Sequence, residues 1–140
     1  IGRRAASIQP SEVAAHVFGY TLFNDVTARD LQRQDGGFTR AKGFDTFAPI
    51  GPWIDTDFRV SNQRLRVSVN NEVRQDGCLD EMLFDVETLI SWVSKVMTLE
   101  PGDIIATGTP AGVGVLLPGD TVRVEIEGLG ALDNPVRTRG

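Results

Sequence analysis

One segment of the chain has the apolar spacing of a long amphipathic helix, and the rest consists mainly of short strands and turns. Across residues 86–97 the apolar side chains recur every three or four positions, which predicts a helix with one face on a core. Alternating residues in 65–69 and 121–127 predict strands, and Asn70-Asn71 predicts a hairpin turn. Strands and helices do not alternate regularly, which argues against a parallel sheet. The pattern predicts a β-rich α+β fold.

Length, charge and composition narrow the class of protein further. With 140 residues and 41% hydrophobic content, the chain can form one ordinary core. The net charge of -5 comes with no basic stripe for a phosphate backbone, so nucleic acid is not expected as a partner. Because there is no apolar run near the roughly 20 residues that cross a bilayer and no signal-peptide pattern, we expect a cytoplasmic protein without membrane contact. The first residues, Ile1-Gly2-Arg3-Arg4, resemble the end of a strand whose beginning is absent, which suggests a truncated or processed chain.

Asp25 is the first of three candidate functional residues. The aromatic and apolar run 20–26 predicts a strand, and Asp25 stands at its end, before a short helix predicted for residues 27–34. A carboxylate at a buried strand end must be hydrogen-bonded, paired with a cation or bound to a metal. The alternative is that Asp25 caps the helix, whose start at Thr27 has capping-box spacing to Asp30.

Lys42 and Thr109 are the other two candidates. Lys42 lies in the segment 38–53, where glycines and prolines predict irregular backbone, and its ammonium could neutralise a substrate carboxylate or enolate. The alternative is an ordinary solvated lysine. Thr109 lies in a glycine-rich turn, 108–114, after a strand predicted for residues 104–107. Such a turn lets backbone amides and a hydroxyl approach an anion closely.

Four segments of the chain resemble, in order, the motifs of the fumarylacetoacetate hydrolase family. They are Phe-Asn-Asp-Val-Thr-Ala-Arg-Asp-Leu-Gln at 23–32, Ala-Lys-Gly-Phe-Asp-Thr-Phe at 41–47, Asn-Glu-Val-Arg-Gln-Asp-Gly at 71–77 and Thr-Gly-Thr-Pro-Ala-Gly-Val-Gly at 107–114. The resemblance implies an α+β, β-roll-like fold, commonly a homodimer, that binds Mg²⁺ or Mn²⁺ through carboxylates. It implies that Asp25 is a metal ligand and Lys42 the catalytic lysine beside the metal. Thr109, Gln32 and Arg29 match the substrate-binding positions, with Gln32 favoured over Arg29 as a direct contact.

The resemblance also implies a reaction class. Members act on small 2-oxo and 2-hydroxydienoic acids through an enolate, and the branch favoured here contains isomerases and decarboxylases of aromatic-compound breakdown. The alternatives are an acylpyruvate hydrolase or oxaloacetate decarboxylase of the same family, or an inactive structural or binding module. The family's Glu-x-Glu metal pair and its His and acid dyad would precede Ile1, so residues 1–140 are expected to form the C-terminal part of one such domain. Glu125-Ile126-Glu127 also has the sequence Glu-x-Glu, but it is predicted to lie on a solvated strand face.

Overall fold

The computed structural model describes residues 1–138 and has an α+β fold, as the sequence predicts. The chain has three α-helices, six strands and two 3₁₀ helices within these residues. In chain order they are the 3₁₀ helix Pro10–Ala15, β1 Tyr20–Phe23, α1 Arg29–Asp35, α2 Thr39–Lys42, β2 Ile50–Asp55, β3 Arg64–Val69, β4 Glu72–Cys78, the 3₁₀ helix Leu79–Glu81, α3 Val86–Val96, β5 Thr121–Ile126 and β6 Gly130–Pro135. None of these helices combines the length and apolar character needed to cross a membrane.

The strands form two antiparallel sheets. A small sheet pairs β1 with β2, and a larger one has the order β4-β3-β5-β6. The β3–β4 hairpin turns at Asn70 and Asn71, both of which have positive φ, the conformation that a tight two-residue hairpin requires. The hairpin and the strand β5 confirm the sequence predictions for residues 65–75 and 121–127. The strand β1 contacts β5 and β6, and a hydrogen bond between Asn24 and Asn134 joins the small sheet to the large one just after β1 ends.

Two apolar clusters hold the fold together. One packs α3 against the N-terminal segment, through Ala5, Ile8, Val13, Val86, Ile90 and Leu99. The other lies between β1 and the larger sheet, through Leu22, Phe58, Val122, Val124 and Leu129. In the first cluster the buried hydroxyl of Ser91 donates to the Ile8 carbonyl at 2.8 Å, and Ser94 Oγ accepts from the Ile8 N–H at 3.1 Å. The polar groups of the N-terminal segment are therefore satisfied where it crosses α3.

Three local predictions from the sequence are wrong. Residues 104–107 do not form a strand, because no other strand in the described chain pairs with them, and Ile104 is 56% exposed. The segment 38–53 is more regular than predicted, since it contains α2 and most of β2. The capping box at Thr27 does not form: α1 begins at Arg29 without a side-chain cap, and the Thr27 hydroxyl donates to the Asp25 carbonyl at 3.1 Å.

Asp85 caps α3, and we expect its stabilising effect to depend on pH. Its carboxylate accepts a hydrogen bond from the Thr88 N–H at 2.7 Å. Hydrogen bonding by Thr88, by its side chain first and its backbone second, lowers the pKa of Asp85 below the usual value. Because the folded-state pKa is the lower one, the stabilisation is present above the unfolded pKa, about 3.9, and is lost as the pH falls through the folded pKa.

Asp85→Ala should therefore lower Tm at pH 7. The difference in Tm between this variant and the wild type should be smaller at about pH 3 than at pH 7. Thermal unfolding followed by circular dichroism at the two pH values measures this. Asp85→Asn keeps a capping oxygen without the charge, so its Tm at pH 7 should lie between those of the other two proteins. A deficit of equal size at both pH values would contradict the ionic contribution.

Candidate functional site

The ends of β1 and α2 bring Asp25 and Lys42 together. Asp25 follows the last residue of β1 by two positions, and Lys42 is the last residue of α2. Backbone hydrogen bonds hold the two segments: Asn24 N donates to Pro49 O and Ala28 N to Ala41 O, each at 2.9 Å. Lys42 Nζ then donates to Asp25 Oδ2 in a direct ion pair. Two of the residues predicted for the site, 17 positions apart in sequence, are thus in contact.

This pair is reachable from solvent. The Lys42 side chain is 35% exposed and that of Asp25 is 40% exposed, so neither charge is sealed in the core as the strand-end prediction for Asp25 assumed. The ammonium also lies 5.1 Å from the centroid of the Phe38 ring, a cation–π distance that restricts where the flexible lysine can point. An exposed but positioned ammonium can meet an anionic substrate without conformational change. The helix-capping alternative for Asp25 is wrong, since its carboxylate faces Lys42 and α1 has no side-chain cap.

Asn24 anchors the strand end that carries Asp25. Its Nδ2 donates to Asn134 Oδ1 of β6 at 3.0 Å, and the contact is partly buried. This amide bridge joins the two sheets at the residue before Asp25, and together with the hydrogen bond from Asn24 N to Pro49 O it restrains the backbone there. A charged group in a functional site must be held in a fixed position, and a rigid backbone helps to hold it.

Arg29 and Gln32 lie on α1, beside the ion pair in sequence and connected to α2 by packing. Arg29 Nη1 donates to Gln32 Oε1 at 2.8 Å, so the guanidinium orients the amide three residues further along the helix. Gln32 is half-buried and Arg29 is exposed. With its oxygen held by Arg29, the amide nitrogen of Gln32 is the part of the side chain left to donate to a substrate oxygen.

Thr109 lies in the turn 108–114, which packs on β4. Gln75 Nε2 donates to Thr109 Oγ1 at 2.8 Å and to Pro110 O at 2.6 Å. Within residues 1–138, no hydrogen bond or ion pair joins Thr109 to Asp25 or Lys42. The predicted site residues are thus held in two groups, the Asp25–Lys42 pair with α1 and Thr109 against β4.

The described residues alone do not fit the metal site that the resemblance implies. Among residues 1–138 there is no group of three or more His, Cys, Asp or Glu side chains able to hold a metal ion. Asp25 offers one carboxylate, and Lys42 already occupies its Oδ2. Mg²⁺ demands near-octahedral oxygen coordination, which one such carboxylate does not supply.

Gln75 and Asn24 are site residues that the sequence reasoning missed, although both stand inside motifs quoted for the resemblance. The signal for Gln75 is the period of two in β4, which sets it on the face opposite to Arg74 and Asp76. A polar amide on an inward face must find partners, so it marks a point where another segment docks. For Asn24 the sequence has no comparable signal, because its partner Asn134 is 110 residues away.

Comparison with known proteins gives the same assignment throughout the chain. Residues 1–137 match the family described as Fumarylacetoacetate (FAA) hydrolase C-terminal. The solved 2-hydroxyhepta-2,4-diene-1,7-dioate isomerase of Mycobacterium marinum is 50% identical with a TM-score of 0.97, over 100% of this chain and 56% of that one. The mitochondrial oxaloacetate tautomerase of Xenopus laevis is 43% identical over 97% of this chain and 46% of its own. The 4-hydroxyphenylacetate degradation bifunctional isomerase/decarboxylase of Salmonella dublin is 44% identical over 97% and 33%. The chain spans about half the length of the first curated relatives it matches.

Proposed function

Because the chain belongs to the fumarylacetoacetate hydrolase family, we propose that the whole protein is an enzyme acting on a small 2-oxo or 2-hydroxydienoic acid through an enolate. The reaction is an isomerisation, or a decarboxylation, in aromatic-compound breakdown. The names of the Mycobacterium marinum and Salmonella dublin relatives support this class of reaction. The observation that carries the proposal is the solvent-reachable ammonium of Lys42, held by Asp25 and Phe38.

The chemistry of the enolate explains why a placed ammonium matters. When a base takes a proton from the carbon next to the carbonyl of a 2-oxo acid, the C–H electron pair enters the enolate and negative charge gathers on the carbonyl oxygen. A cation already aimed at that oxygen stabilises the charge as it develops and needs no reorganisation during the reaction. Lys42 has this role in the proposal. In an isomerisation the enolate then takes up a proton at another carbon. In a decarboxylation the enolate forms instead as CO₂ leaves.

The remaining substrate contacts are assigned to Gln32, Arg29 and Thr109. A 2-oxo acid has a carboxylate and a carbonyl, both of which accept hydrogen bonds. Gln32, with its oxygen occupied by Arg29, presents an amide donor, and Arg29 adds positive charge to the same helix face. Thr109 presents a hydroxyl in an exposed turn. All three residues therefore suit an anionic, oxygen-rich substrate.

Mg²⁺ or Mn²⁺ is part of the proposal as an ion that would supply positive charge to a 2-oxo acid. Asp25 is proposed as one ligand, and the others are expected from residues outside this chain, since residues 1–138 hold no group of three or more side chains able to bind a metal ion. The contribution of this chain is thus a carboxylate fixed at a strand end, next to the catalytic ammonium.

The metal assignment predicts that residues 1–140 alone bind Mn²⁺ weakly, with a Kd of about 1 mM or above, because one carboxylate gives little affinity. Calorimetric titration of this chain, and of a version extended upstream, measures it. The extended version should bind far more tightly and should lose that affinity in Asp25→Asn. Asp35→Asn is the matched control, since Asp35 pairs with Arg40 on the surface and should not affect the titration. Equal weak binding by both versions would contradict the metal site.

Oxaloacetate tautomerisation is a second candidate function, favoured by the name of the Xenopus laevis relative. It uses the same enolate and differs in substrate. Steady-state assays by ultraviolet absorbance, with oxaloacetate and with 2-hydroxyhepta-2,4-diene-1,7-dioate, separate the two through their kcat/KM ratios. The leading proposal expects the dienoate to have the higher value. If the wild-type protein is inactive on both substrates with metal supplied, the hypothesis that it is an enzyme is refuted and an inactive binding module is favoured.

A homodimer is also proposed. It is supported by large apolar side chains that water reaches freely in the single chain, such as Leu83 at 89%, Val115 at 85% and Trp92 at 65% exposure. We propose that these side chains become buried against a second copy of the protein. Sedimentation equilibrium of the whole protein should give twice the mass of one chain, and a monomer at micromolar concentration would contradict it.

A further inference from the structure

Gln75 is a buried amide with two partners in the turn that carries Thr109. Gln75 is at the centre of β4 and is only 8% exposed. Its Nε2 lies 2.8 Å from Thr109 Oγ1 and 2.6 Å from the carbonyl oxygen of Pro110. Both protons of the amide nitrogen therefore have an acceptor in the same turn.

The neighbouring carbonyl settles the orientation of this amide. A backbone carbonyl oxygen can only accept a hydrogen bond, so the side-chain atom 2.6 Å from Pro110 O must be the nitrogen and not the oxygen of Gln75. The same nitrogen faces Thr109 Oγ1 and donates its second proton there. The threonine oxygen is consequently an acceptor toward the protein.

We propose that Gln75 is a positioning residue that fixes the Thr109 hydroxyl as a hydrogen-bond donor to the carboxylate or oxo group of a 2-oxo acid. With Oγ1 accepting from Gln75, the proton of the hydroxyl is directed away from β4, on the exposed side of the turn. An anionic substrate needs a donor at this point. The inference rests on the proposed function for the identity of the ligand, while the orientation of Thr109 follows from the contacts alone.

Other contacts hold the turn on β4 independently of Gln75. Gly112 approaches the Arg74 carbonyl so closely that a Cβ there would lie 1.9 Å from the oxygen. On the next inward position of β4, a Cβ on Gly77 would lie 3.1 Å from Pro110 Cβ. Loss of the Gln75 amide should therefore free the hydroxyl of Thr109 to rotate more than it moves the turn as a whole.

Kinetics of four proteins test the inference: wild type, Gln75→Met, Thr109→Val and the double variant, with oxaloacetate as the probe. Gln75→Met is expected to raise KM about 3- to 10-fold, the range for one lost neutral hydrogen bond, with kcat within about twofold. In the Thr109→Val background the same substitution should have almost no effect on KM, because its target hydroxyl is gone. Additive effects of the two substitutions would overturn the inference.

A second variant reverses the polarity of the contact. Gln75→Glu is nearly isosteric but, when ionised, presents only acceptors. It would draw the Thr109 proton toward β4 and also lose the hydrogen bond to the Pro110 carbonyl, so it should raise KM more than Gln75→Met does. Thermal unfolding of each variant checks that the turn is still folded. A KM for Gln75→Glu equal to that of the wild type would overturn the inference.

Side-chain couplings of Thr109, measured by NMR without any ligand, decide the point independently of turnover. Three-bond couplings to the Thr109 methyl carbon should report a single χ1 rotamer in the wild type and an average over rotamers in Gln75→Met. Averaging in the wild type, or an unchanged rotamer in the variant, would refute the positioning role. If the wild type converts no 2-oxo acid, the proposed function fails while these couplings still decide the orientation of Thr109. Should the methionine variant not fold, averaged couplings in the wild type would still refute the positioning role, and Gln75→Glu would supply the variant for comparison.

Discussion

Replacing Lys42 by methionine is expected to lower kcat of the whole protein on the proposed 2-oxo or 2-hydroxydienoic acid substrate about 100- to 1,000-fold, the usual effect of removing one preorganised charge from a developing oxyanion. Methionine keeps most of the apolar stem that packs near Phe38 but cannot carry the charge. Because the side chain is partly exposed and its ion pair is at the surface, Tm should change little. Steady-state kinetics with matched thermal unfolding measure both quantities.

Arg40→Met is the matched control for Lys42→Met. Arg40 lies on the same short helix and also pairs with an aspartate, Asp35, through two hydrogen bonds at 2.6 and 2.8 Å. It has no role in the proposed chemistry, so this variant should retain kcat within about twofold. Wild-type kcat in Lys42→Met, or an equal loss in both variants, would remove Lys42 from the mechanism.

Gly112→Ala is expected to displace the turn that carries Thr109 and to damage stability and activity together. Gly112 has φ of +105°, which L residues rarely adopt, and an added Cβ would lie 1.9 Å from the Arg74 carbonyl oxygen. Backbone strain alone costs about 1–3 kcal/mol, and the collision adds to it because neither backbone can yield cheaply. Tm should fall by roughly 5–10 °C, and kcat/KM by at least about tenfold as Thr109 moves.

Gly114→Ala tests whether this effect is specific to the close approach. Gly114 lies in the same turn, its φ is not positive, and an added Cβ would meet no atom within 4 Å. Its Tm and kcat/KM should therefore stay close to those of the wild type. Losses of similar size in both variants would show that the turn tolerates no substitution, and would argue against the Arg74 contact as the cause.

Local periodicity in the sequence predicts those parts of the fold that depend on neighbouring residues. The helix α3 and the β3–β4 hairpin are of this kind, because the spacing of apolar residues and two asparagines in a turn act within a few positions. Residues 104–107 have the composition of a strand but no pairing strand in the described chain. Whether such a segment becomes a strand depends on a partner that its own sequence does not specify.

The candidate site was predictable mainly through the resemblance. Spacing alone does not indicate that Lys42 meets Asp25, since the contact depends on how α2 folds back on the end of β1. Composition favoured a solvated lysine, and the structure instead gives this one an aspartate and an aromatic ring as neighbours. Gln75 was not predicted for a related reason: the role of its amide depends on the turn 108–114, which packs against β4 from a distant part of the sequence.

Exchange of the C3 protons of oxaloacetate with D₂O, followed by ¹H NMR, tests the central claim that the protein forms an enolate beside Lys42. The whole protein with Mg²⁺ should accelerate exchange over the rate with Mg²⁺ alone, Arg40→Met should do so equally well, and Lys42→Met should be slower by about two orders of magnitude or more. Full acceleration by Lys42→Met, or a wild type that neither accelerates this exchange nor isomerises 2-hydroxyhepta-2,4-diene-1,7-dioate, would contradict the account.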